Sequence, residues 1–443
     1  MSRKIRWGAI QPLTGGMYIG TENATGTPAQ WIISFPGFNT AKPNKNGELI
    51  EVGNEYNLTQ WLQKRGEDIP YYTFDRKPFD TSLDVDNVLI YDEYTKNIGD
   101  FDNTNSSAKV VQPDFNDMDL VIAVPVCSGL SMVTSGKQEM KDERNCNMLF
   151  ITKYALNVIK PKMYVFENAP TLMGDRGDGV RQALEEIALN AGYSVLYYKT
   201  DTKLHNNCQK RPRTFIIFQK WDGDSQQTPH CFGYENVQID FPEYMANIPE
   251  DATQQIPMQL SPLNVVLIDY AKHLFGDDWR KKTRTHLLDN VDVDGRWEDF
   301  IKFVKSSDNI EDLEKTKIEK FIRHAQHKRS LGLNYMSAAV MLVKDKTPSV
   351  QFKSMQSVLH PDADRLLTIR ECLHLMGMPH DFEILGDALY NFAKIGQNVP
   401  VRTAEWIVKE CVRIIEDWDK LEDRKSDSNM LYIDNIKQCI HSI

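Results

Sequence analysis

Asp119–Ser131 reads DLVIAVPVCSGLS, a run that opens as a buried strand and breaks at a proline two residues before a cysteine. Five of the six residues from Asp119 to Val124 are aliphatic, and the chain then turns through Pro125, Val126 and Cys127 into small and hydroxylated residues. A thiol at this point has two readings. It is a small buried hydrophobe, or it is a reactive group just past the carboxyl end of a strand, where α/β proteins hold their ligands. The loop alone leaves both open.

Working outward, the first 220 residues alternate strand-like and helix-like segments, the signature of an α/β sheet. The candidate strands are KIRWGAIQ, WIISF, IPYYTF, DLVIAVPV, KMYVFEN, YSVLYY and RTFIIF. Val180, Ala183, Leu184, Ile187 and Ala188 mark one face of a helix that has Asp178 near its start and Gly192 just past its end, as capping requires. From about 221 to 345 the alternation fades, and this region reads as a second domain inserted into the first. Ala404, Ile407, Val408, Cys411, Ile414, Ile415 and Trp418 then share one side of a helix that should pack back on the sheet. The expected organisation is residues 1–220 and 346–420 for the sheet domain, 221–345 for the insert and 421–443 for a peripheral tail.

The 443 residues are 41% hydrophobic and 26% charged, ordinary values for a globular chain. No apolar stretch is long enough to span a bilayer and the N-terminus carries no signal-peptide core, so a cytoplasmic location is expected. The seven cysteines are scattered with no CxxC pair, which argues against a zinc site or a disulfide framework. A net charge of −10 is unevenly spread. Lys203–Arg213 holds four cations and no acid, as does Trp279–His286 with Arg280, Lys281, Lys282 and Arg284, and 315–329 is mostly basic. Such clusters are solvated faces or a local phosphate-binding groove on an acidic molecule.

Four stretches in a fixed order carry the chemistry: PVCSGLS, FENAPTLMGDRG, QKRPRTFIIF and RLLTIRECLHLMGMPHDF followed by KIGQNVPVRTA. Together they resemble the ordered motifs of the DNA (cytosine-5)-methyltransferase family, from LTGGMYIG near the start to GQNVPV near the end. The resemblance implies an α/β, Rossmann-like sheet that uses S-adenosylmethionine, with an inserted smaller target-recognition domain. Carbon 5 of cytosine is a weak nucleophile, and covalent addition of a thiolate at carbon 6 activates it. By the resemblance Cys127 is that thiolate, and Pro125 and Ser131 belong to the same loop, toward the donor and the substrate respectively. Glu167 and Asn168 match Glu-Asn-Val; the acid would meet ring nitrogen 3 and needs a raised pKa. Gln209, Arg211 and Arg213 reproduce Gln-x-Arg-x-Arg at alternating positions entering a strand, so their side chains should point the same way. Arg213 would contact the base and hold Glu167, and Arg211 would steady the nucleophile loop and nearby phosphate. For the donor, the resemblance points to Gly15 and Gly16, to Asp75 as the ribose acid, to Asp100 facing the adenine amine, and to Gln397, Asn398 and Val399.

The departures define a divergent branch. Val126 replaces a proline, Leu130 an aromatic residue, Ala169 a valine and Gln397 an asparagine, and HNNCQ lacks the Gly-x-Pro before Gln209. The partner implied is double-stranded DNA, with its base swung out of the helix, the 221–345 region reading sequence, and a cognate restriction endonuclease compatible with the family. No metal or membrane is implied, and the chain is expected to act as a monomer in a bacterial or phage-infected cell. A transfer-RNA methylating branch shares these motifs but is compact, and an inactive DNA-binding relative is the rival of another class.

Overall fold

Aliphatic runs bounded by turn residues become the strands of one sheet, and the helical faces close over it. The computed structural model describes residues 3–92, 109–126, 130, 143–221, 239–283, 287–292, 295–333 and 358–426. The chain begins with strand β1 (Trp7–Ile10), helix α1 (Gly16–Thr25), β2 (Ile32–Ser34), the hairpin β3 (Ala41–Pro43) and β4 (Leu49–Val52), α2 (Tyr56–Lys64) and β5 (Tyr71–Phe74). Strands β6 (Ile90–Asp92), β7 (Val110–Val111) and β8 (Leu120–Ala123) follow, then α3 (Glu143–Tyr154), β9 (Met163–Asn168), α4 (Asp178–Ala191), β10 (Tyr193–Asp201) and β11 (Pro212–Lys220). A run of helices comes next: α5 (Phe241–Met245), α6 (Pro262–Phe275), α7 (Trp279–Lys282), α8 (Leu288–Asp292), α9 (Trp297–Ser306) and α10 (Asp312–Ser330). Helices α11 (Ile369–Leu375), α12 (Ala388–Gln397) and α13 (Val401–Ser426) close the described chain.

The nine-stranded sheet has the order β10-β11-β9-β8-β1-β2-β5-β6-β7. Strands β9, β8, β1, β2 and β5 are mutually parallel, while β11 runs antiparallel to both β9 and β10. From β1 the chain steps outward to β2 and β5, and later returns through β8 to the opposite flank of β1. The winding direction therefore reverses between β1 and β8, and a doubly wound sheet binds ligands outside the carboxyl ends of its strands at such a switch. This puts the turn after Ile10 next to the turn after Ala123.

All seven strands expected from the sequence form. Every residue of β8 is buried because helices cover both faces. Leu120 and Ile122 join the core under α1, α2 and α11–α13, whereas Val121 and Ala123 join the core under α3 and α4, as the two-residue period of a strand requires. Helix α4 starts at Asp178 and ends on Gly192, whose φ of 77° provides the left-handed cap. The seven apolar positions of α13 from Ala404 to Trp418 are all buried. The hairpin β3–β4 and the edge strands β6 and β7 were not expected. Helices α6–α10 share a third core, centred on Tyr270, Trp279, Trp297 and Phe300, which also takes in Leu359 and Leu366. Among the described residues no helix is long and apolar enough to cross a membrane.

Helix α13 packs against α1, and Gly20 permits the approach. A Cβ built at Gly20 would stand 2.6 Å from the Ala404 Cβ and 2.6 Å from the Val401 carbonyl oxygen. One of those neighbours is backbone and cannot swing aside. Gly20→Val should therefore destabilise the protein by about 2 kcal/mol or more through overpacking. Chemical denaturation checks this, and an unchanged midpoint would mean that the two helices separate freely.

Candidate active site

Strand β9 carries Glu167 and Asn168 to the carboxyl edge of the sheet, and the antiparallel neighbour β11 starts from that same edge. Their register sets Phe215 opposite Glu167 and Thr214 opposite Asn168. Arg213, one residue earlier, reaches back so that its Nε lies 2.5 Å from Glu167 Oε1. Glu167 is buried, and burial raises its pKa above the ordinary carboxylate value while Arg213 and then Arg211 pull it back. An acid poised in this way can hold a proton and still be ionised by a small change in its surroundings. Asn168 is fully buried, and its Nδ2 lies 3.7 Å from the Met148 sulfur.

Gln209, Arg211 and Arg213 make different hydrogen bonds, although Arg211 and Arg213 both lower the pKa of Glu167. Strand β11 begins at Pro212, so Gln209 lies in the bend before it. Its Nε2 donates to the Leu375 carbonyl at 2.7 Å, and its side chain is fully buried. Arg211 is also buried, and its Nη2 donates to the carbonyl oxygens of Gly396 at 2.7 Å and Asn398 at 3.0 Å. The three residues thus fan out: Gln209 to α11, Arg211 to the turn between α12 and α13, and Arg213 to the β9 acid.

That turn closes on the start of the chain. The Gly16 N–H donates to Asn398 Oδ1 at 2.8 Å, and the Thr14 hydroxyl donates to the Lys394 carbonyl at 3.1 Å. A Cβ on Gly16 would lie 1.8 Å from the Val399 carbonyl oxygen, so only glycine fits. Gly15 has a φ of 103°, in the left-handed region that favours glycine. Gln397 accepts from Asn54 Nδ2 at 3.1 Å. Gly15, Gly16, Gln397, Asn398 and Val399, far apart in sequence, are brought together.

Asp75 is not in this group as expected. It follows β5, the third parallel strand, and its backbone N–H donates to the Leu89 carbonyl at 3.0 Å. The acid at the end of the second strand is Glu55, which the sequence reading missed. Its Oε1 accepts from Ser34 Oγ at 2.8 Å and its Oε2 from the Tyr71 hydroxyl at 2.7 Å, and the Leu13 N–H also donates to it. Hairpin β3–β4 lies between β2 and this acid and hid the spacing; the signal was Asn54-Glu55-Tyr56 at the head of an amphipathic helix. Asn147 was missed as well. From α3, its Oδ1 accepts from the Val126 N–H at 2.9 Å and so holds the backbone just after buried Pro125. Cys127, Ser131, Asp100 and Arg284 lie outside the described residues.

Of the basic cluster, Arg280 is held within the protein. Its Nη2 is 2.5 Å from Asp364 Oδ1, its Nη1 donates to the His360 carbonyl at 2.9 Å, and its guanidinium lies over the Trp279 ring. Lys281 and Lys282 are exposed, with Lys281 3.5 Å from Asp278. A cavity of about 580 Å³ between α5, α11 and the start of α13 is lined by residues such as Tyr244, His374, His380 and Arg402, and by none of the residues expected from the sequence.

Two outcomes follow from this geometry. Burial pushes Glu55 up to about 8, so folding takes up a proton there between pH near 4.5 and about 8. Its contribution to stability is present at low pH and is lost as pH rises through that window. Denaturation of Glu55→Gln across pH 5–8 should show a shallower decline than the parent, by up to about 1.4 kcal/mol per pH unit; equal slopes would place the titration elsewhere. For the basic cluster, Arg280→Ala should lower stability by about 1–3 kcal/mol by leaving Asp364 and the His360 carbonyl short of a partner. Lys281→Ala with Lys282→Ala should instead flatten the salt dependence of DNA binding. The reverse pattern would reassign both.

Comparison with known proteins places the fold and the family. The family described as C-5 cytosine-specific DNA methylase matches residues 83–413. The type II methyltransferase M1.HphI of Haemophilus parahaemolyticus is 24% identical over 77% of this chain and 83% of its own length. The type II methyltransferase M.AplI of Arthrospira platensis is 25% identical over 73% of this chain and 76% of its own. Among solved structures, a protein described as a DNA modification methyltransferase encoded within an E. coli prophage has a TM-score of 0.52 and 15% identity, covering 93% of this chain and 99% of its own, which is a likeness of fold. With the family match spanning well over half of the sequence, this chain belongs to the C-5 cytosine-specific DNA methylases.

Proposed function

We propose that the protein methylates carbon 5 of a cytosine swung out of duplex DNA, with Cys127 as the covalent nucleophile and Glu167 as the proton-handling acid. The observation that carries this reading is the buried Glu167–Arg213 pair at the carboxyl edge of β9, two strands from β1 and next to the exit of β8. Cys127 adds to carbon 6, Glu167 shares its proton with ring nitrogen 3 as negative charge develops there, and Arg213 holds the acid in place. Carbon 5, now enamine-like, would take the methyl group from the donor sulfonium, whose sulfur keeps the bonding pair; loss of the carbon 5 proton to a base then expels the Cys127 thiolate and restores the ring.

The residues around Gly15 and Gly16 fit S-adenosylmethionine as co-substrate. Support comes from the left-handed turn, from the α1 N-terminus with its peptide N–H groups, and from the Glu55 carboxyl group held against Ser34 at the end of β2, whose oxygens suit ribose hydroxyls. In this reading Glu55 takes the role expected of Asp75, and Gln397, Asn398 and Val399 close the pocket from the C-terminal side. When bound, the donor supplies an electrophilic methyl group on a charged sulfur. Helices α6–α10, with their separate core, would read the duplex, and exposed Lys281 and Lys282 would meet phosphates.

Incubating the protein with labelled S-adenosylmethionine and either duplex DNA or transfer RNA tests the substrate, with label expected in DNA. A 5-fluorocytosine duplex should become trapped on the protein through Cys127, because fluorine at carbon 5 cannot leave as a proton does. Cys127→Ser should reduce turnover at least about 10³-fold while donor binding persists. Label in RNA alone, or near-parental methylation by Cys127→Ser, would overturn the reading.

A further inference from the structure

The loop after β1 contains a side chain that the mechanism above does not use. Gln11 is fully buried, and its backbone φ of 50° lies in the left-handed region that residues other than glycine rarely adopt. Its N–H donates to the Ile33 carbonyl at 2.8 Å, which fixes it between the ends of β1 and β2. Neither its amide nitrogen nor its amide oxygen has a hydrogen-bond partner, and among the described residues it is the one side-chain amide with both polar atoms buried in this state.

Buried polar groups in folded proteins are nearly always paired, so a doubly unpaired amide needs an explanation. A methionine would fill similar space without the desolvation of two polar atoms, and a glycine would relieve the backbone. Residues that combine local strain with an unsatisfied group concentrate where a ligand completes them. Gln11 stands at such a place. It follows β1 at the switch point of the sheet, four residues before Gly15, in a loop pinned by Thr14 to Lys394, by Leu13 to Glu55 and by Gly16 to Asn398.

We propose that Gln11 is a donor-recognition residue whose carboxamide hydrogen-bonds the adenine edge of the S-adenosyl group. One planar amide offers a donor beside an acceptor, the pattern that matches the adenine amino group and ring nitrogen 7, whereas inosine presents two acceptors along that edge and matches the amide in neither orientation. The carboxylate and ammonium of the methionine part call for charged or single-sense partners instead. This inference rests on the reading that the Gln11–Gly16 loop holds S-adenosylmethionine, and it makes Gln11 a determinant of nucleobase choice.

The experiment compares the parent protein with Gln11→Met and Gln11→Glu, measuring the melting temperature without ligand and the calorimetric affinity for S-adenosylhomocysteine and S-inosylhomocysteine. The parent should prefer the adenosyl compound by about tenfold or more. Gln11→Met should melt at the same or a higher temperature, bind S-adenosylhomocysteine about 10–100-fold more weakly and lose most of the preference, since a site built to hydrogen-bond one group discriminates by leaving its own atoms unpaired against another. Gln11→Glu, which keeps the shape but not the N–H donor, should also bind S-adenosylhomocysteine about tenfold or more weakly. Parental affinity in either variant, or a parent without preference, overturns the assignment. A parent that binds neither compound would instead sink the donor site itself, and this inference with it.

Discussion

The backbone of Gly16 and the side chain of Asn398 touch across almost the whole length of the chain, and the rest of the site is arranged around that contact. Gly16 has no side chain, so the Val399 carbonyl occupies the space a Cβ would need, and Asn398 accepts the N–H that opens α1. From the other side Arg211 grips the carbonyls of Gly396 and Asn398. A buried guanidinium must find several acceptors or the cost of removing it from water goes unmet. Two backbone oxygens of a short interhelical turn provide them. Through this one turn, the end of the chain completes a loop that belongs to its beginning, and β11 is joined to both.

Two cations stand two residues apart at the start of β11. Arg211 is turned to neutral carbonyls, and Arg213 to the carboxylate of Glu167. Burial alone would drive Glu167 toward its protonated form, and the two guanidiniums oppose that drift. The balance matters more than either term, because an acid that must give and regain a proton works best when neither state is strongly preferred. The two groups that set this balance are spaced by the strand period, which keeps both near the carboxyl edge of the sheet.

Beyond the sheet, α6–α10 enclose a core of their own, so their exposed side chains are not needed to hold the sheet together. Several cations there are nevertheless tied to acids: Arg280 and Lys272 both meet Asp364, and Arg323 meets Glu298 and Glu319. A basic run in the sequence is therefore not the same thing as a basic surface. Only cations whose ammonium groups face water remain available to a polyanion, and Lys281 and Lys282 are of that kind.

The sequence by itself determined the five parallel strands, their antiparallel flank β10–β11 and the cap of α4. An aliphatic run such as Leu120–Ala123 is legible because burial on both faces leaves no polar position, and the α13 stripe because a helix returns to the same face every three to four residues. Glu167 and Arg213 were legible because strand ends and the Gln-x-Arg-x-Arg spacing are local. Apart from the Glu167–Arg213 pair, which the resemblance implied, the partners of the charges were decided only by the tertiary structure. Spacing could not tell that a hairpin separates β2 from Glu55, that Gln209 stops short of its strand, or that Asp364 claims Arg280. Local patterns record which face of an element is apolar. Strand order and charge pairing depend on segments hundreds of residues away, whose approach is set by how the whole sheet and its helices pack.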